Sequence, residues 1–118
     1  MSKGTFDLVF RFHLKPGMEE RYEKATTYIL ERTQEEPYVL EYSIHRSADG
    51  ASYTQHERYA DEEAMWRHLE VTQQGQAEWA EATQVEEVNV LGEPSERFWD
   101  TFGGNGPRVF APFRKVNR

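Results

Sequence analysis

Apolar and polar residues alternate near the start of the chain. The apolar parity is occupied by Phe6, Leu8, Phe10, Phe12 and Leu14. A period of two predicts a β-strand that presents one apolar face to a core. Pro16-Gly17 predicts the end of this strand, because proline has no N–H for a sheet ladder and glycine tolerates the turn.

The period then changes to that of a helix. Met18, Tyr22, Ala25 and Ile29 follow one another at spacings of four, three and four residues. This spacing places them on one side of an amphipathic helix. Pro37 predicts the helix end, because the residue before a proline is pushed out of the α conformation.

Two further strands are predicted after this helix. The first alternates through Leu40, Tyr42 and Ile44. Asp49-Gly50 then predicts a hairpin turn, because both residues tolerate a positive φ. The returning strand carries four residues on one predicted face, namely Tyr53, Gln55, Glu57 and Tyr59.

A second helix is predicted to begin after Asp61, whose carboxylate suits the N-cap position. Its predicted inner stripe holds Ala64, Met65, His68 and Leu69. We expect a break near Gly75, and then a last strand with Val85, Val88 and Val90. The order β-α-β-β-α-β predicts a ferredoxin-like fold of the α+β class. In it, a four-stranded antiparallel sheet carries both helices on one face.

The opposite face of this predicted sheet has no cover within one chain. It is semi-polar, with His13, His45 and His56 among its residues. A sheet face of this width is normally buried against another layer. A second copy of the same sheet is the simplest cover, because a two-fold interface needs only one kind of surface. We therefore predict a homodimer.

The last part of the chain is predicted to be an extension of the domain formed by residues 1–93. Residues 94–118 are expected to form a short helix and an extended arm, with Gly103-Gly104 ending the helix. They hold 5 basic and 2 acidic residues, whereas residues 1–93 hold 9 and 19. This complementarity predicts that the extension packs on the body or on the partner subunit, and a solvated tail is the alternative. The aromatic residues predicted to be buried are Phe98, Trp99, Phe110 and Phe113.

Composition excludes several classes of function. The net charge of −7 argues against nucleic acid as a partner, because phosphate binding needs concentrated lysine and arginine. The chain has no cysteine, which excludes disulfides, zinc–thiolate sites and thiol catalysis. No apolar run approaches the roughly 20 residues of a membrane span, and the first residues lack the apolar stretch of a secretion signal. We therefore predict a cytoplasmic protein without a membrane partner.

Three stretches of the sequence resemble one protein family. They are Leu14-Lys15-Pro16-Gly17, the segment from Glu36-Pro37 to Tyr42, and the motif from Glu57-Arg58-Tyr59-Ala60-Asp61 through Met65 to His68-Leu69. Together they are similar to the antibiotic biosynthesis monooxygenase domain over residues 5–92. The extension resembles those of quinol monooxygenase-like members. The resemblance implies a dimeric α+β barrel, with a pocket between helices and sheet in each subunit.

The resemblance also implies a function, namely oxidation of a small phenol or quinol by O2 without metal or flavin. Such chemistry needs a general base, a hydrogen bond to the developing oxyanion and a dry pocket. A non-catalytic small-molecule binding or scaffold dimer is the alternative. Haem binding or degradation ranks last, because residues 71–83 contain no histidine that could serve as an axial ligand.

Two residues are the candidate catalytic groups. His68 is the candidate base, because an imidazole with a pKa near 6.5 suits proton abstraction. Glu57 matches the motif acid of the family and is expected to pair with His68 or an arginine. For each, a structural role is the alternative. The residues predicted to bind the substrate are Phe10, Phe12, Tyr42, Tyr53 and Tyr59.

We predict no metal and no cofactor. The four histidines show no metal-ligand spacing within one element. Trp79 is interpreted as core packing, and Trp66 as a contact with the surface, the arm or the dimer partner. Several oxygenases of the family carry an asparagine on the first strand, and this chain has none there.

Overall fold

A computed structural model describes residues 4–118 of the chain. Its strands are β1 (Phe6–Leu14), β2 (Val39–Arg46), β3 (Tyr53–Tyr59), β4 (Thr83–Leu91) and β5 (Arg108–Phe110). Its helices are α1 (Glu19–Thr33), α2 (Glu62–Val71), α3 (Gln73–Ala82) and α4 (Glu96–Phe102), and a 3₁₀ turn spans Gly103–Asn105. Among these helices, none has the length and apolarity that crossing a membrane would need.

The sheet confirms the predicted ferredoxin-like core and adds one strand. The order across it is β2-β3-β1-β4-β5. The first four strands are antiparallel, as predicted. The fifth pairs in parallel with β4, with Val90 opposite Val109. The sequence predicted an extended arm but not its pairing with the sheet, in which the arm adds a short parallel strand at the edge formed by β4. The sheet is therefore mixed.

One face of the sheet carries the helices and the core. Phe6, Tyr59, Met65 and Val90 are buried together with Phe98 of α4. A second cluster joins Phe12 of β1 to Tyr22 of α1 and Ala82 of α3. Each fully buried large apolar side chain contributes about 1.5–3 kcal/mol relative to exposure, so these two clusters fix the helices on this face.

The other sheet face is polar, and several of its charged side chains are paired. Asp7 is 3% exposed, and its Oδ2 accepts from His56 at 2.6 Å and from Arg58 at 3.0 Å. The register of β1 and β4 shifts after Arg11, so Glu86 has no partner across the ladder. Such a bulge re-aims the extra side chain. Glu86 contacts both Arg11, at 2.5 Å, and His13, at 2.8 Å.

The second predicted helix is two helices. The break lies at Thr72, which is the C-cap of α2 and directly precedes α3. The break was predicted near Gly75, which lies three residues further on, inside α3. A Cβ at this position would lie 2.6 Å from Cδ1 of Tyr28 and 2.8 Å from Cγ1 of Ile29. Glycine therefore allows α3 to pack closely on α1.

The extension is partly packed on the body. Phe98 is 2% exposed and meets Phe6 edge-to-face at a ring-centre distance of 5.7 Å. The single chain buries Phe98, as predicted, whereas Trp99, Phe110 and Phe113 are exposed in it. Phe113 is 86% exposed. Helical spacing identifies the inner face of a short helix, but aromatic content alone does not show that an extended arm finds a surface.

Candidate functional site

An apolar cavity of about 150 Å³ lies between the sheet, the two helices α2 and α3, and the extension. Its apolar walls are formed by Leu8, Phe10, Met65, Leu69, Trp79, Val85, Val88, Phe98, Phe102 and Pro107. Among the described residues that line it, three have polar side chains: Glu57, Gln76 and Asn105. A dry apolar cavity of about this volume can hold a single benzene-sized ring.

Two rings shape the cavity wall next to the sheet. Phe10 of β1 meets Trp79 of α3 edge-to-face, with ring centres 5.8 Å apart. Behind them lies Phe12, whose ring centre is 5.0 Å from that of Trp79 and which is fully buried. Packed rings of this kind hold one another in place, so the wall is preformed.

Glu57 is the ionisable group of this cavity. It lies on the helix-facing side of β3 and is 6% exposed. Its Oε1 accepts a hydrogen bond from the hydroxyl of Tyr59, and its Oε2 accepts one from Nε2 of Gln55 at 2.6 Å. Both donors lie on β3, two residues before and two residues after Glu57. They share its face of the sheet, because side chains two residues apart in a strand point to the same side.

Burial raises the pKa of the Glu57 carboxyl above its ordinary value. The main cause is the loss of water around the charged form. The Tyr59 hydrogen bond, the nearby imidazole of His68 and the Gln55 hydrogen bond oppose this and limit the rise. A carboxylate with a raised pKa in an apolar site is typical of a general base or acid.

The two tyrosines beside Glu57, the half-buried Tyr42 and the fully buried Tyr59, keep their protons. Burial raises the pKa of both Tyr42 and Tyr59 well above the usual value, and the charge of Glu57 adds to the effect. Gln55 donates to the hydroxyl of Tyr42 at 3.0 Å. The phenols therefore act as hydrogen-bonding groups that organise the carboxylate, and not as bases.

His68 lies next to this group but does not line the cavity. It is fully buried, and its ring centre is 5.4 Å from that of Tyr42 and 5.5 Å from that of Tyr59. Its Nδ1 lies 2.8 Å from Oε1 of Glu36. Glu36 in turn accepts from Tyr38, whose pKa burial raises to about 12.

Two details of the predicted arrangement were therefore wrong. As the candidate base, His68 would have to reach the pocket, but the helix turns its ring toward Tyr42 of β2 and Tyr59 of β3. Glu57 was expected to pair with His68 or an arginine, whereas its hydrogen bonds come from Tyr59 and Gln55. The acid that pairs with His68 is Glu36, which is 5% exposed.

The structure brings two of the predicted site residues to the cavity, Phe10 and Glu57. Tyr42 and Tyr59 belong to the hydrogen-bonded group behind it. Tyr53 instead stacks on Phe12, with ring centres 5.2 Å apart, and borders a groove at the end of the sheet. Alternation identified the face that these residues share, but not how far along the strand the cavity extends.

Several lining residues were not predicted. Trp79 was interpreted as packing, and it both packs and lines the cavity. Gln76 lies on the same helix, one turn earlier. Phe102, Asn105 and Pro107 come from the extension, and no sequence signal indicates where that segment returns to the body. The four-residue spacing of Phe98 and Phe102 places the two on one helix face but does not show what that face contacts.

A larger groove of about 790 Å³ lies at the end of the sheet and is lined by Arg11, His13, Arg46 and Tyr53, among others. Its polar groups include exposed ones already paired with one another, such as Arg11 with Glu86. The smaller cavity is the better candidate site, because it combines apolar walls with a buried carboxylate. Within residues 4–118, no group of three or more His, Cys, Asp or Glu could hold a metal ion.

Comparison with solved structures identifies the fold. MupZ from Pseudomonas fluorescens superposes with a TM-score of 0.79 at 19% identity, over 98% of this chain and 95% of its own. Rv0793 from Mycobacterium tuberculosis gives 0.64 at 23% identity, over 78% and 97%. SnoaB, a cofactor-independent oxygenase from Streptomyces nogalater, gives 0.63 at 16% identity, over 78% and 95%. At these identities the likeness concerns the fold.

Sequence comparison gives the family. No curated protein sequence matches the chain significantly. The sequence model described as antibiotic biosynthesis monooxygenase matches residues 5–82, which is more than half of the chain. This range contains β1 to α3, including Glu57, His68 and the wall residues Phe10 and Trp79. The chain therefore belongs to the antibiotic biosynthesis monooxygenase family.

Proposed function

We propose that the protein is a cofactor-independent monooxygenase that oxidises a small phenol or quinol with O2. The observation that carries this proposal is Glu57, a buried carboxyl with a raised pKa at the wall of an apolar cavity of about 150 Å³. A phenol has an apolar ring and one acidic hydroxyl. This cavity offers apolar walls and one group able to take a proton.

In this proposal Glu57 is the catalytic base. Its carboxylate removes the hydroxyl proton of the bound phenol, and the resulting anion transfers an electron to O2. One oxygen atom then enters the ring and the other leaves as water. The ring supplies all the electrons, so a phenol becomes a quinone and no further reductant is needed. The rings of Phe10 and Trp79 shield one side of the bound phenol from water, which strengthens electrostatic interactions there.

We propose supporting roles for the other predicted site residues. Tyr59 orients the carboxylate through its hydrogen bond, and Gln55 links Glu57 to Tyr42. Phe12 and Tyr53 support the aromatic wall from behind. His68 acts as a positioning residue, because its imidazole affects the pKa of Glu57 without lining the cavity.

We also propose that the protein acts as a homodimer, with the polar sheet face covered by a second copy. This face is flanked by exposed Leu91 and Phe110 at the edge where β5 pairs with β4. A two-fold contact would bury these side chains against a partner, because an isologous interface uses the same patch twice.

Oxygen consumption tests the proposed reaction. The purified protein is incubated with single-ring phenols and para-quinols in an oxygen electrode, and products are identified by mass spectrometry with ¹⁸O₂. The wild type is expected to incorporate one labelled atom. Glu57→Gln should lower the rate by roughly 10²–10⁴-fold, as loss of a general base does. Glu70→Gln, which removes an exposed acid from α2, is the matched control and should keep the rate. Equal rates in both variants would refute the role of Glu57.

A binding function without chemistry is the second candidate. It is favoured by one observation, namely that both oxygens of Glu57 already accept hydrogen bonds from protein donors. A carboxylate held in this way can serve as a fixed acceptor for a ligand hydroxyl. Tight binding of phenols with no O2 consumption across the panel would support this function instead.

A further inference from the structure

The C-terminal extension completes the candidate site. Four of its residues line the cavity: Phe98, Phe102, Asn105 and Pro107. All four lie outside residues 5–82, the range that the family sequence model matches. MupZ superposes over 98% of this chain, whereas Rv0793 and SnoaB superpose over 78%. This part of the wall is therefore a feature of the extension and not of the shared family core.

The extension is anchored before it reaches the cavity. Oε1 of Glu62, in the first turn of α2, accepts from the backbone N of Ser95 at 2.7 Å. The hydroxyl of Ser95 caps α4 by accepting from the backbone N of Phe98. Phe98 is buried against Phe6. The beginning of α4 is thus tied to both a helix and the sheet.

A second set of contacts fixes Phe102 itself. Its ring stacks on Trp66 with ring centres 5.6 Å apart and planes inclined by 21°. Trp66 donates from Nε1 to Glu62 at 2.8 Å, and Cζ of Arg97 lies 4.0 Å from the centre of the indole ring. These partners hold the ring of Phe102 at the cavity wall.

The chain is anchored again after the cavity. Gly106 has φ +65°, a conformation that glycine adopts without strain, and it turns the chain toward Pro107, which is buried. Strand β5 then pairs with β4. Residues 103–107 are thus held between two fixed points, and Asn105 and Pro107 of this segment form part of the cavity wall.

We propose that Phe102 determines substrate size by closing the cavity, so that the site accepts single-ring phenols and excludes fused two-ring ones. Glu57 belongs to β3, and the strand order places β3 and β5 on opposite sides of β1 and β4. A ring whose hydroxyl faces Glu57 therefore extends toward the side that the extension closes. This inference names the substrate class of the proposed function and rests on that function only for the statement that the bound ring is oxidised.

Binding without turnover tests the inference. Dissociation constants for phenol and 2-naphthol are measured by calorimetry in the absence of O2. The wild type should prefer phenol. Phe102→Ala should shift the ratio of the two constants toward 2-naphthol by roughly tenfold or more, within the range by which a pocket discriminates small changes in an apolar group. Phe113→Ala, at an 86% exposed phenylalanine of the same extension, is the matched control and should not shift the ratio.

Two more variants cover the case in which Phe102→Ala does not fold. Phe102→Leu should shift the ratio in the same direction by a smaller factor, and Phe102→Trp should weaken phenol binding. An unchanged ratio in folded Phe102→Ala or Phe102→Leu overturns the inference, even if the wild type consumes O2 with phenols. A shifted ratio in a protein that consumes no O2 supports the inference and refutes only the oxygenase reaction.

Discussion

Gln55 donates a hydrogen bond of 2.6 Å to Oε2 of Glu57, two residues further along the same strand. Tyr59, another two residues on, donates to Oε1. The three side chains share the helix-facing side of β3, so the strand itself builds the surroundings of the carboxylate. These donors offset part of the cost of burying the charge, but not all of it, since the pKa of Glu57 is still raised.

The raised pKa of Glu57 predicts a pH dependence of stability. The folded state holds the proton of Glu57 more tightly than the unfolded state does. The free energy of unfolding should therefore fall as pH rises from the ordinary glutamate value, near 4.5, through the raised folded pKa. Each unit of difference corresponds to about 1.4 kcal/mol. Urea unfolding from pH 4 upward measures the effect.

Glu57→Gln removes this particular dependence, because an amide does not titrate in the range. Across that pH window, the free energy of unfolding of the wild type should fall relative to that of Glu57→Gln. Above the window, the difference between the two should stay constant. Glu70→Gln, which removes an exposed acid, is the control. Its free energy of unfolding should depend on pH in the same way as that of the wild type. If the free energy of unfolding of the wild type instead rose relative to that of Glu57→Gln with increasing pH, the pKa of Glu57 would be lowered in the folded state and not raised.

The imidazole of His68 lowers the pKa of Glu57, against the larger effect of burial. His68→Gln keeps a donor for Glu36 but removes the imidazole and its effect on the pKa of Glu57. The pKa of Glu57 should rise further, so the acidic limb of the kcat/KM profile should move to higher pH while the plateau rate changes little. His45→Gln, at an exposed histidine of β2, should leave the limb in place. Loss of the plateau at every pH would instead indicate direct participation of His68.

Packing of the extension predicts unequal effects for two phenylalanines. Phe98 is 2% exposed and lies between Phe6 and Phe102, at ring-centre distances of 5.7 Å and 5.2 Å. Phe98→Ala should lower the free energy of unfolding by about 3–5 kcal/mol, because it leaves a cavity. Phe113→Ala should change it by less than about 0.5 kcal/mol. Equal losses in urea unfolding would show that the arm is packed, against the structure of the single chain.

The homodimer is tested by its mass. One chain has a mass of 13.9 kDa, so light scattering at micromolar concentration should give about twice that value. Arg11→Glu places a like charge beside Glu86 and Glu87 in the middle of the polar sheet face and should shift the equilibrium toward monomer. A wild-type monomer at that concentration would contradict the proposed interface.

The fold was largely predictable because periodicity reports which faces are buried. The alternation through Phe6 and Phe12 and the four-three-four spacing of α1 were each sufficient for their elements. The fifth strand was not predictable, since Arg108–Phe110 is only three residues long and is too short to show an alternation of apolar and polar positions. The site was predicted only in part for a related reason. Glu57 and Phe10 lie on predicted inner faces, whereas the orientation of His68 depends on how α2 rotates over β2 and β3.

The proposed reaction requires that a phenol binds in the cavity with its hydroxyl at Glu57. A crystal structure of the protein with a single-ring phenol, grown without O2, measures this geometry. The ring should lie beside Phe10, Trp79 and Phe102, with its oxygen within about 2.6–3.2 Å of a carboxylate oxygen of Glu57. A phenol bound outside the cavity, or one inside it with the hydroxyl directed away from Glu57, would show that Glu57 is not the base.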